Sequence, residues 1–140
     1  MKRIAGVFAV AMALALVLCA VGCSSGEPSV KQGLPDWANE TEITEQVREL
    51  IELYVARDFE ATAQQCEALG LTAEQYAEKG NLILDKLGAF KGYGDVAYLN
   101  GIENGTPYAT VVQIADFENG SAQFTISVNE DGTFSGFYIK

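Results

Sequence analysis

Near residue 88 the spacing of apolar side chains changes from about 3.6 residues to two, and this switch limits what the chain can build. Before it, Asn39 and Glu42 form a helix-capping pattern, and Ile43, Val47, Leu50, Ile51, Tyr54 and Val55 follow at helical spacing. A second, short helix is expected after Asp58, with Phe59, Ala63, Cys66 and Leu69 turned inward and Gly70 ending it. Thr72 and Gln75 form a capping box for a third helix, whose apolar side is Tyr76, Ile83, Leu84 and Leu87. Gly80 falls at a close-packing position on that side, and Gly88 ends the helix.

Beyond the switch, strands are expected over 93–100, 108–117, 122–128 and 133–139. The third alternates most clearly: Ala122, Phe124, Ile126 and Val128 share one face, Gln123, Thr125 and Ser127 the other. Asn104-Gly105, Asn119-Gly120 and Asp131-Gly132 read as type I′ hairpin turns, which need positive φ at both central residues. Helices first and strands afterwards give an α+β domain: three N-terminal helices packed on one face of a curved four-stranded antiparallel meander.

This order resembles the cone-type, cystatin-like fold shared by nuclear transport factor two and ketosteroid isomerase. More specifically, the chain resembles the uncharacterised bacterial domain-of-unknown-function family 3887. The residues that carry the resemblance are Ala56-Arg57-Asp58-Phe59-Glu60-Ala61 and Asn129-Glu130-Asp131-Gly132, the latter leading into Gly136-Phe137-Tyr138-Ile139-Lys140. The resemblance implies a fold with a hollow between helices and sheet. It brings no catalytic residue with it.

The N-terminus carries Lys2 and Arg3, then an uncharged apolar run from Ile4 to Gly22. This is the layout of a secretory signal. Ala20-Val21-Gly22-Cys23 resembles the lipobox of bacterial lipoproteins, in which small residues precede a cysteine that receives a diacylglyceryl group. The expected organisation is a signal over residues 1–22, a lipidated Cys23 with a flexible tether over 23–38, and one domain over 39–140. The protein would then be exported and held on the membrane through the lipid. Trp37, in the tether, would dock on the domain edge or sit near the headgroups.

The formal net charge is −10, and loss of Lys2 and Arg3 with the signal makes the chain more acidic still. Nucleic acid is therefore excluded as a partner by repulsion. With Cys23 lipidated and Cys19 removed, Cys66 has no partner for a disulfide and reads as a small buried hydrophobe. The chain contains no histidine, which removes the Ser-His-Asp and Cys-His triads and the usual zinc sites. No calcium-loop pattern appears, and neither a metal nor a cofactor is expected. Glu42, Glu45, Glu49 and Glu52 read as one solvated helix side with Arg48 nearby.

Two functions are compatible with these residues. The first is a lipid-anchored, extracytoplasmic, non-catalytic module that binds a small molecule or an envelope protein. Tyr54, Tyr76, Tyr93, Tyr98, Tyr108 and Tyr138 would line its hollow. The second is a small acid–base enzyme of isomerase type, with Asp95 or Asp116 as the base beside a tyrosine hydroxyl. A hollow already filled by aromatic side chains would instead move binding to the outer sheet face, at Gln123, Thr125 and Ser127.

Overall fold

The computed structural model describes residues 30–140; the expected signal over 1–22 and Cys23 lie outside the described residues. The elements run β1 (Lys31–Gln32), α1 (Glu40–Val55), α2 (Phe59–Gln65), a 3-10 turn (Glu67–Leu69), α3 (Ala73–Leu87), β2 (Phe90–Glu103), β3 (Thr106–Phe117), β4 (Gly120–Asn129) and β5 (Phe134–Ile139). The sheet is antiparallel, in the order β1-β2-β3-β4-β5. Three helices precede the β2–β5 meander, as the change of period requires. Among the described residues no helix is long and apolar enough to cross a membrane.

The α1 helix starts where the Asn39 side chain accepts the Glu42 N–H at 3.1 Å, with Glu40 and Glu42 in the first turn against the positive end of the helix dipole. Its buried stripe is Ile43, Val47, Leu50, Ile51 and Tyr54. The chain turns at Arg57, whose φ of 64° lies in the left-handed region, and Asp58 caps α2 by accepting the Ala61 N–H. The α2 helix is shorter than expected. It ends at Gln65, and the last turn tightens into the 3-10 segment before Gly70. Thr62, three residues after Phe59, takes the fully buried place expected of Ala63; its hydroxyl donates to the Asp58 carbonyl at 2.9 Å, so it is buried without an unmet polar group. The expected capping box opens α3, with Thr72 and Gln75 each satisfying the other's backbone N–H.

The sheet has five strands where the sequence reading expects four. Lys31 and Gln32, placed in the tether by that reading, pair with Asn100 and Leu99 on the free edge of β2. The Gly33 N–H donates to the Tyr98 carbonyl, the Asn100 side chain donates to the Gly33 carbonyl, and Leu34 and Trp37 pack against the core. Trp37 therefore docks on the domain. A segment this polar reads as a tether because its anchoring groups are mostly backbone, which composition does not reveal.

Of the three expected type I′ turns only Asn104-Gly105 forms, with φ of 51° and 79°. At the second hairpin the two-residue loop is Glu118-Asn119, because Phe117 pairs with Gly120. Its N–H groups donate to Ala89 and Leu87 at the end of α3, so tertiary contacts select the turn. The third is a longer loop: Gly132 alone is left-handed, and the Asn129 N–H reaches the Thr133 carbonyl. The β4 alternation is as expected, with Ala122, Phe124, Ile126 and Val128 buried under the helices.

Candidate functional site

Register decides where each candidate residue lies. On β3 the buried face carries Ala109, Val111, Gln113, Ala115 and Phe117. Tyr98 pairs with Val111 and Tyr93 with Ala115, so both tyrosines face the helices. Tyr108 pairs with Gly101 on the opposite, outer face. A Cβ at Gly101 would lie 2.6 Å from the Tyr108 hydroxyl oxygen, so the tyrosine ring covers the glycine. Tyr138 pairs with Thr125, also on the outer face, and is 70% exposed.

The six tyrosines therefore do not gather round one hollow. The space between helices and sheet is occupied by Tyr54, Phe59, Phe124 and Phe137. Tyr54 stands edge-on to Phe59 at 5.6 Å and to Phe124 at 6.0 Å, and lies 5.3 Å from Phe137. Tyr76 meets Phe137 edge-on at 6.0 Å. These are the preferred separations of packed aromatic rings. This part of the interior is filled, because a period-two pattern shows which side chains face inward but not how far they reach; of the six tyrosines, Tyr54, Tyr76 and Tyr138 border a cleft between α3 and β5.

Two features border this filled interior. The first is a polar seam between α1 and the sheet. Thr44 and Arg48 lie one helical turn apart on α1. The Thr44 hydroxyl and the Tyr98 hydroxyl are 2.6 Å apart. Arg48 donates from Nε to Gln113 Oε1 at 3.0 Å and stacks 4.5 Å above the Tyr93 ring. Gln113, fully buried, donates from Nε2 to the carbonyls of Gly94, Asp95 and Ile114. The Tyr93 hydroxyl donates to the Arg48 carbonyl. Burial, and secondarily the Glu52 carboxylate, push the Tyr93 phenol up to about 12. The seam holds α1 on the sheet; Gln113 satisfies two carbonyls, Gly94 and Asp95, at the β2 irregularity between Tyr93 and Val96, and the Ile114 carbonyl on β3. Arg48, which the sequence reading places near the solvated glutamate side, turns toward the sheet. The available signal was Gln113 itself, a polar residue in phase with the apolar face of β3.

The second feature is a cleft of about 360 Å³ between α3 and β5, lined by Leu71, Tyr76, Lys79, Ile83, Phe137 and Ile139 among others. Tyr54 and Tyr138 also border it. The Tyr76 hydroxyl is buried without a hydrogen-bond partner and lies beside the Cys66 thiol, a weak partner. Burial pushes that thiol up to about 11 and leaves it unreactive.

Asp95 and Asp116 are both exposed. Asp95 occupies the β2 irregularity, and Asp116 pairs with Gly92 on the outer face. Tyr108 and Asp116 share that face but stand eight residues apart on one strand, about 27 Å at strand rise. The carboxylate–tyrosine pair of the enzyme reading is not assembled. Among the described residues no group of three or more His, Cys, Asp or Glu side chains is placed to hold a metal ion.

No protein-family model and no curated protein matches this chain. A solved structure does: the NMR structure of a protein from Ruminococcus gnavus, with a TM-score of 0.70 and 26% sequence identity, covering 79% of this chain and 98% of that one. The similarity spans nearly all of that protein and about four fifths of this chain, in an α+β fold with the helices ahead of the curved sheet.

Proposed function

We propose that this chain is a lipid-anchored, extracytoplasmic, non-catalytic binding module. The Lys2-Arg3 start, the apolar run and the small residues before Cys23 support the anchor. The observation that carries the non-catalytic part is the filled interior: packed aromatic rings occupy the place of a reaction pocket, and both candidate bases lie outside it. General-base catalysis requires a carboxylate held against its substrate in a sheltered site, and Asp95 and Asp116 both lie exposed. The open clefts at the surface favour a macromolecular partner over a small molecule, because small ligands are held in sites that enclose most of their surface.

The anchor is tested by metabolic labelling with a fatty-acid analogue: the wild type is expected to be labelled and Cys23→Ala to lose the label. In the same preparations, Asp95→Asn and Asp116→Asn are expected to leave partner affinity within about tenfold, roughly 1.4 kcal/mol. Retained label in Cys23→Ala refutes the anchor. Turnover of a substrate that vanishes in either Asp variant while the fold survives refutes the non-catalytic reading.

A further inference from the structure

The β5 strand ends the sheet, and its hydrogen-bonding phase can be read from its last residue. Gln123 and Lys140 exchange two backbone hydrogen bonds, Lys140 N–H to the Gln123 carbonyl at 3.0 Å and Gln123 N–H to the Lys140 carbonyl at 3.1 Å. In an antiparallel ladder such pairs alternate with pairs whose backbone groups point away from one another. Tyr138, opposite Thr125, is therefore bonded to β4, while Ile139, opposite Phe124, and Phe137, opposite Ile126, turn their N–H and C=O groups to the outside. Among the described residues no backbone hydrogen bond joins this outer edge to another element. The 3-10 turn packs beside β5 and shares a depression with Phe134 at the start of the strand.

Beside this edge lies the α3–β5 cleft. The side chains of Phe137 and Ile139 enter it from the sheet, those of Tyr76 and Ile83 from α3, and Leu71, 44% exposed, stands on its rim. Residues directly opposite each other on paired strands point to the same face. A strand added to β5 would therefore send the side chains opposite Phe137 and Ile139 into an apolar cleft. The charged residue lining that cleft is Lys79, in a chain whose net charge is −10.

We propose that the outer edge of β5 and the cleft beside α3 dock an extended polypeptide segment as an added strand, with alternate apolar side chains in the cleft and an acidic residue opposite Lys79. The inference deepens the binding-module reading and rests on it. The backbone supplies affinity through the unpaired groups of Phe137 and Ile139, and the cleft supplies sequence preference. A second copy of this chain is disfavoured as the occupant, because it brings the same cation and the same excess of negative charge.

The test uses the isotopically labelled full chain in detergent micelles and a capped synthetic peptide that alternates valine and threonine around one central glutamate. In the free protein the amides of Tyr138 and Lys140 should exchange slowly with solvent, and those of Phe137 and Ile139 fast. Saturating peptide should slow Phe137 and Ile139 by about tenfold or more. Ile139→Pro removes an N–H that the native ladder does not use, so the chain should still fold cooperatively, with a midpoint lowered by the lost packing of the Ile139 side chain, and should lose the peptide. Lys79→Glu should weaken the glutamate peptide and favour its lysine counterpart. Unchanged exchange at Phe137 and Ile139 up to millimolar peptide overturns the proposal even if labelling at Cys23 and partner binding persist, which would leave the module reading intact with another surface. Protection that rises with protein concentration in the absence of peptide overturns it in favour of a second copy.

Discussion

Gly80 offers a test in which the sign of the effect decides. In an exposed helix interior, Gly→Ala stabilises by roughly 0.8–1 kcal/mol through helix propensity. Gly80, however, is buried on the side of α3 that meets α1 and α2. A Cβ built there lies 2.6 Å from Phe59 Cε1, 2.8 Å from Phe59 Cζ and 3.1 Å from the Tyr54 hydroxyl oxygen. Non-bonded carbons sit best at about 3.5–4.0 Å, so the overlap with the ring is on the order of 1 Å. Phe59 cannot swing aside without loss, because Tyr54 stands edge-on to it and both rings are buried. Overpacking of this kind costs about 1–3 kcal/mol, which outweighs the propensity gain. Gly80→Ala is therefore expected to destabilise by a net of up to ~2 kcal/mol, the larger cost less the smaller gain. Equilibrium urea unfolding would show this as a midpoint lowered by up to roughly 1 M for a slope near 2 kcal/mol per molar. The variant Phe59→Leu loses stability on its own, but in its background Gly80→Ala should cost less, giving a measurable coupling. An increase in stability for Gly80→Ala, or strict additivity with Phe59→Leu, refutes the close approach of α3 to α2.

Phe124→Ala removes the ring at the centre of the aromatic cluster, fully buried and facing Tyr54 and Phe137. It is expected to cost about 3–5 kcal/mol, measured by the same unfolding assay; a loss below about 1 kcal/mol contradicts the β4 register. The Tyr93 phenol is raised from 10.0 to about 12, chiefly by burial, so the folded chain holds its proton where the unfolded chain has released it. The stability this contributes is complete below pH 10 and is lost as pH rises to about 12. In Tyr93→Phe the thermal midpoint should fall less steeply over that window than in the wild type, and parallel curves would show that Tyr93 does not titrate as described.

Several features needed only local chemistry and were legible in the amino-acid order. Asn39, Asp58 and Thr72 cap their helices because each side chain meets a backbone N–H three residues away, a relation that sequence spacing specifies by itself. The β4 face followed from strict alternation, and the Asn104-Gly105 turn from the two positive φ angles that those residue types accept. The absence of histidine restricts the available chemistry whatever the fold. The tertiary structure decided everything that depends on what stands across from a residue. Lys31 and Gln32 became a strand because β2 presents an open edge. The Glu118-Asn119 loop took its form from carbonyls at the end of α3. Arg48 turned toward the sheet because Gln113 and Tyr93 lie beneath it. Whether six tyrosines would enclose a hollow or be divided between core, cleft and outer face depended on register and side-chain reach between segments far apart in the chain. Local periodicity carries one bit per residue, inward or outward; the partner that each inward side chain meets is set only when the strands pair and the helices settle on them.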